Sequence, residues 1–409
     1  MALAIFLVTY LFIAGARLPF SKLDRPGGAL AGAVLMVVLG IVSPEEVFRE
    51  AIDFDTIVLL LGMMILASYL THAAFFRTAG WWAVRLARTP GGLLFAVCAI
   101  SGVLSAFLVN DTICLMLTPL VLATAEDAEV PPAPYLLGLC MASNAGSAAT
   151  FTGNPQNMLI GISSGIPYAE FAAWMALPAV LGTLCVFAII RFMFRGELKP
   201  RVFAARPPPP PLNRKLLALT LLALAGVIAA FFAGLPMGWS AIAGAAFVMA
   251  LSTLEPREAL EKVDFILLLF FASLFVVVHG VHKEGWAEAM RGLFEPLMAG
   301  GALQESFGFA SLTLVASNLF SNVPWVMLAR HWVPQMTQPE LGWQVLALSS
   351  TLAGNLTLIG SVANLIVFEL ARGKVQMSFW RYLKVGVPVT LLSLAVGLGT
   401  LLLEHWVLR

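Results

Sequence analysis

Apolar runs near the length of a bilayer-crossing helix recur along this whole chain, and they restrict its fold more than any other feature. A transmembrane helix needs about 20 apolar residues. Ten candidates lie at about residues 2–16, 28–42, 56–76, 135–162, 171–194, 214–233, 238–253, 264–282, 343–370 and 385–407. Only 11% of the 409 residues are charged and 60% are hydrophobic, with a mean hydropathy of +0.90. A soluble domain carries about 25% charged residues. A soluble enzyme, a nucleic-acid binder and a disordered scaffold are therefore excluded. The expected fold is an all-α integral membrane protein with the lipid bilayer as its solvent. The net charge of +1 points to no charged partner.

Residues 1–16 lack a basic leader and a small-residue cleavage site, so they are expected to be a retained first span. No lipidation signal is evident. Cys98, Cys114, Cys140 and Cys185 lie inside apolar runs. They do not form a disulfide pattern, and packing is preferred over a thiol–metalloid site. His72, His279, His282, His331 and His405 are scattered near span ends and are expected at the membrane interfaces.

Two further apolar regions, about 91–125 and 306–335, are each interrupted by a polar turn. The turns are Val109-Asn110-Asp111-Thr112 and Phe320-Ser321-Asn322-Val323-Pro324. Both regions are expected to be re-entrant helical hairpins with arms too short to span comfortably. With the N-terminus outside and both hairpins returning to their side of entry, 19 of the 24 basic residues fall in cytoplasmic loops. That follows the positive-inside rule. It places both termini on the periplasmic face of a bacterial inner membrane. Glu126, Asp127 and Glu129 sit awkwardly on the cytoplasmic side, although acidic residues weigh little in this rule. Residues 207–211 are all proline and are expected to form a stiff cytoplasmic spacer, in preference to a ligand for a proline-reading domain. The expected organisation is a first repeat over 1–206, a linker over 207–213 and a second repeat over 214–409.

The two halves resemble each other. The run after Asp55 matches that after Asp264, and the turn at Asn110 matches that at Asn322. Thr150, Gly153 and Asn157 match Thr357, Gly360 and Asn364, all 207 positions apart. One half starts outside and the other inside, which makes the repeat inverted, an arrangement frequent in secondary transporters. Eight of the nine asparagines fall in the matched segments: Asn110, Asn144, Asn154, Asn157, Asn318, Asn322, Asn355 and Asn364. An amide in a bilayer needs a partner, so their concentration points to one polar site at the repeat interface.

Gly153-Asn154-Pro155 is a strong helix breaker. The stretch from Gly354 and Asn355 through Thr357, Gly360 and Ser361 to Asn364 is its partner. Broken helices free backbone N–H groups that can hold an anion or a hydroxylated solute, and carbonyls that can hold a cation. Close packing through small residues is the plainer alternative. Asp111 is the one acidic residue placed well away from span edges, whereas Asp53, Asp55, Asp264 and Glu369 fall near ends. It can carry a proton, hold a cation or cap the arm that follows it. The equivalent position in the second half is Val323. A single deep carboxylate does not suit aspartyl chemistry, and no deep Ser–His pair is evident, so an intramembrane enzyme is not expected.

The two hairpin turns and the two broken-helix motifs together resemble the ion transporter superfamily. Within it the chain resembles the ArsB-type arsenite permease family, grouped with NhaD-type antiporters and divalent anion/sodium symporters. The resemblance covers about residues 28–400. It implies a scaffold and a transport body that moves like an elevator. It also implies a substrate site at Asn110, Thr112, Asn144, Thr150, Gly153, Asn154 and Asn157, with Asn322, Gly354, Asn355, Thr357, Gly360, Ser361 and Asn364, and with Asp111 as the coupling residue. The symporters carry Ser-Asn-Thr at both tips, whereas this chain has Asn110-Asp111-Thr112 and Ser321-Asn322-Val323. No Lys or Arg lies among these residues to balance a dianion. The implied function is proton-coupled efflux of arsenite or antimonite. The alternative is a sodium/proton antiporter or a sodium-coupled anion transporter. No cofactor, resident metal or nucleic acid is expected. A homodimer and a cytoplasmic ATPase subunit are compatible with the sequence.

Overall fold

A computed structural model of the protein describes residues 1–13, 23–87, 89–199 and 210–408. Most of the proline run lies outside the described residues, as do Arg17, Lys22, Arg88, Arg201, Arg206 and Arg409. The structure is all-helical, with no strand among the described residues.

The first half holds α1 (Ala2–Ile13), α2 (Arg25–Val38), α3 (Phe54–His72), α4 (Phe75–Leu86), α5 (Pro90–Phe107), α6 (Asn110–Asp127), α7 (Ala133–Ser147), α8 (Pro155–Ser164) and α9 (Tyr168–Met193). The second holds α10 (Arg214–Phe232), α11 (Met237–Leu251), α12 (Phe265–Lys283), α13 (Trp286–Met298), α14 (Ala302–Phe320), α15 (Asn322–Ala329), α16 (Pro339–Ala353), α17 (Val362–Leu370) and α18 (Phe379–Leu408). The order of long, short and broken helices is the same in both halves. So is the packing: α3 lies on α11 as α12 lies on α2, α5 on α7 as α14 on α16, and α6 on α17 as α15 on α8. The long helices α9 and α18 pack on each other.

Among the described residues, α3, α5, α9, α10, α12 and α18 are long and apolar enough to cross a membrane; α1, α2 and α11 are shorter apolar helices. Each of the two expected broken spans is split into two short arms. One hairpin expectation changes. The first arm α5 has 18 residues and reaches spanning length, and the hairpins are unequal, since α15 has only eight residues. Apolar side chains such as Val180, Leu222 and Leu391 stand exposed, as a lipid-facing belt requires.

Two helices were not anticipated. The amphipathic α4 and α13 precede the two hairpins at matching places, in stretches whose charges read as loops. The awkward acidic loop finds a partner: Lys374 Nζ lies 2.5 Å from Glu126 Oε2. Cys98, Cys114 and Cys140 are buried free thiols. His72, His279, His282 and His331 are half-buried near helix ends. His405 is instead buried, with Nε2 2.6 Å from Gln344 Oε1.

One contact fixes a hairpin to a broken helix. A Cβ built on Gly146 of α7 would lie 2.2 Å from Gly102 O and 2.4 Å from Gly102 Cα of α5. The two backbones touch with no side chain between them, as in other close-packed membrane helices.

Candidate functional site

The site is built on the two helix breaks. Asn154 is extended, and its side chain accepts from Asn157 N at 2.8 Å, capping α8. Pro155 follows at a position where its missing N–H costs nothing. Gly153 packs so tightly that a Cβ would lie 2.1 Å from Ser147 O. A break leaves carbonyls unpaired in a medium without water. Asn157 Nδ2 donates to Ser147 O (3.2 Å) and Thr150 O (3.1 Å). Asn364 Nδ2 donates to Gly354 O (2.7 Å) and Thr357 O (3.1 Å). These are the same two bonds, 207 positions apart.

The bonds between the halves follow the same offset. Asn144 Nδ2 donates to Asn364 Oδ1 (3.3 Å), and Thr351 Oγ1 donates to Asn157 Oδ1 (3.4 Å). Asn154 Nδ2 donates to Thr351 Oγ1 (3.2 Å), and Ser361 Oγ donates to Asn144 Oδ1 (3.1 Å). Asn144 further donates to Asn355 Oδ1 (2.9 Å), and Asn355 Nδ2 reaches Met141 O (3.0 Å). Each half thus holds the other's break.

This network fixes which way the amide of the first hairpin points. Asn364 spends its Nδ2 on two carbonyls, so its Oδ1 must accept. Asn144 must then donate with Nδ2 and accept with Oδ1. Asn110 therefore presents Nδ2 to Asn144 Oδ1, at 2.9 Å. Asn110 Oδ1 is left buried with no hydrogen-bond partner among the described residues, and so is Asn322 Oδ1 at the other tip.

Both tips line one small cavity, together with Asp111, Gln156, Phe270, Phe271, Ser321, Gly360 and Ser361. Its volume is about 30 Å³, on a measure in which one water needs about 10–15 Å³. None of the lining residues is Lys or Arg. The carboxyl of Asp111 faces the backbone N–H of Ala363, in the first turn of α17. A helix start attracts negative charge. At the second tip the position equivalent to Asp111 is Val323, which offers none.

The remaining expected residues have other positions. Asn144, Asn154, Asn157, Asn355 and Asn364 stand behind the cavity as its frame. Thr150 Oγ1 donates to Ala106 O, and Thr357 Oγ1 donates to Asn318 Oδ1 (2.9 Å). Both threonines tie a break to its hairpin and do not line the cavity. Gly153 and Gly354 are packing positions. Thr112 is half-buried and lies outside the cavity lining. Sequence reasoning missed Gln156, Ser321, Thr351 and the two phenylalanines. The offset could have found Thr351, which stands 207 positions after Asn144.

Ser321 has φ 70° and ψ 155°, a region nearly reserved for glycine. Such strain costs about 1–3 kcal/mol, against about 0.5–1 kcal/mol for the entropy that glycine adds to the unfolded chain. Ser321→Gly should therefore raise the thermal unfolding midpoint in detergent. A lower midpoint would show that the hydroxyl matters more than the backbone.

A family described as Citrate transporter matches residues 10–353. The silicon efflux transporter of Oryza sativa subsp. japonica is 30% identical over 93% of each chain. A transporter named arsB from Dictyostelium discoideum is 26% identical, over 98% of this chain and 91% of its own. The crystal structure of the Alcanivorax borkumensis YdaH transporter superposes with a TM-score of 0.61 at 18% identity, over 99% of this chain and 96% of that one. That likeness establishes the fold. The family match covers most of the chain, and the relatives are transporters over nearly their whole length. The chain belongs to the citrate transporter family of the ion transporter superfamily, and it is a multi-pass secondary transporter, not an enzyme.

Proposed function

We propose that the chain exports a small, uncharged, hydroxylated solute of the arsenite or antimonite class in exchange for protons. One observation carries this reading. Two buried amide oxygens at the cavity, Asn110 Oδ1 and Asn322 Oδ1, have no partner, and the Asp111 carboxyl shares their lining. Acceptors call for a solute that brings donors, and arsenous acid brings three hydroxyls. Silicon in water is likewise an uncharged hydroxylated acid, and one relative is named for silicon efflux. Citrate would bring carboxylates to a cavity without a cationic side chain, and desolvated charge needs a partner.

In this reading Asp111 alternates between protonated and ionised forms and couples inward proton flow to export. The tips and breaks form the binding site, carried by a body that moves like an elevator against the scaffold. The two inverted repeats meet at the linker over 207–213, in a bacterial inner membrane with both termini periplasmic. A second reading has support in the same oxygens. Amide and carboxylate oxygens suit a hard cation, which favours sodium coupling as the alternative.

Inverted vesicles holding the pure protein separate the two. With an acid interior and no sodium, arsenite should accumulate. No arsenite flux, together with a sodium-dependent response to another solute, would move the protein to the sodium-coupled reading.

A further inference from the structure

The molecule holds a second and much larger cavity, about 460 Å³, along the seam between α5 and α9. Small residues create it: Ala99 and Ala106 on one wall, Ala172, Ala176 and Ala179 on the other. The helices approach at Gly102, where a Cβ would lie 3.1 Å from Thr183 Cγ2. The floor includes Gly146 and Thr150, beside the first helix break.

The rim tells what fills it. Phe95, Val103, Phe107, Val180 and Leu184 line the cavity and are also exposed. In a membrane protein, exposed apolar side chains at span depth face hydrocarbon. The mouth therefore opens sideways into the bilayer. From Phe95 to Phe107 the groove runs about 18 Å along α5. An apolar space of this shape, open to lipid, suits an alkyl chain.

One end carries a charge. The rings of Phe95 and Phe187 meet with centroids 5.3 Å apart. One turn further, Arg191 lies over Gly91, where a Cβ would be 3.0 Å from its Nε. Arg191 has no ion-pair partner among the described residues. A guanidinium at the end of an acyl-sized groove suits a phosphate.

We propose that the α5–α9 groove is a lipid site that seats one acyl chain of an anionic phospholipid, with its headgroup phosphate on Arg191. Native mass spectrometry of the full chain in mild detergent tests this with added phosphatidylglycerol or phosphatidylcholine. One phosphatidylglycerol should be retained in preference to phosphatidylcholine. Arg191→Gln should weaken that preference about fivefold, the worth of one basic residue at a membrane surface. Filling the groove with Ala176→Phe, or from the other wall with Ala99→Phe, should abolish retention of both lipids. Equal retention of both lipids by the wild type would overturn the proposal. So would full retention by the filled variants, or displacement of the lipid by inorganic phosphate alone.

Discussion

Asp111→Asn is expected to abolish proton-driven export while leaving downhill solute exchange in place. The substitution keeps the shape of the side chain, and its Oδ1 can still accept from the Ala363 N–H that the carboxyl faces. The fold should therefore survive. What disappears is the one protonatable group in the cavity lining. Coupling needs a site whose affinity for solute differs between two protonation states. The proton-driven rate should fall about 100-fold or more, which corresponds to about 2.7 kcal/mol. Pure protein in inverted vesicles, with an acid interior and radiolabelled arsenite, provides the measurement. Unchanged accumulation would remove Asp111 from the coupling role and leave it as a lining residue of the cavity.

Asn144→Ala should cause the largest loss of stability among the asparagines. Its side chain serves four partners: Asn110 Nδ2 and Ser361 Oγ donate to it, and Asn355 Oδ1 and Asn364 Oδ1 accept from it. Each buried group left unmet costs about 1–3 kcal/mol. The losses do not add in full within one network, but several kcal/mol remain. Asn213 is a natural control, as the one asparagine outside the matched segments. It caps α10 through Leu216 N at 3.1 Å, and Asn213→Ala should cost only about 1 kcal/mol. Thermal unfolding in detergent compares the two. A midpoint for Asn144→Ala no lower than that for Asn213→Ala would mean that the network does not hold the halves together. Asn144→Asp should recover the bonds the side chain accepts and not those it donates.

The parts of this fold legible in the sequence were those that violate a rule. A glycine, an asparagine and a proline in succession inside an apolar run mark the break before α8 without any structure. Asparagines in a bilayer must find partners, so their crowding into four segments located the frame of the site. Other features left no such mark. The amphipathic α4 and α13 carry charges on one face, and a hydropathy reading takes them for loops. Thr351 left no mark because it is not identical to its counterpart Asn144: a hydroxyl does there part of what the amide does in the first half. Thr150 and Thr357 were legible as paired residues, but their direction was not. Whether a side chain faces a cavity or braces a hairpin depends on packing around the break, which spacing alone does not encode.

The meeting of Gly102 with Gly146 bears on how force could pass through the molecule. Side chains can change rotamer and take up a displacement, so a joint made of them has play. A joint of backbone against backbone has none. A push on α5 arrives at α7 undiminished, and the helix break a few residues beyond Gly146 feels it at once. Whatever step the first hairpin takes, the first broken helix must take with it.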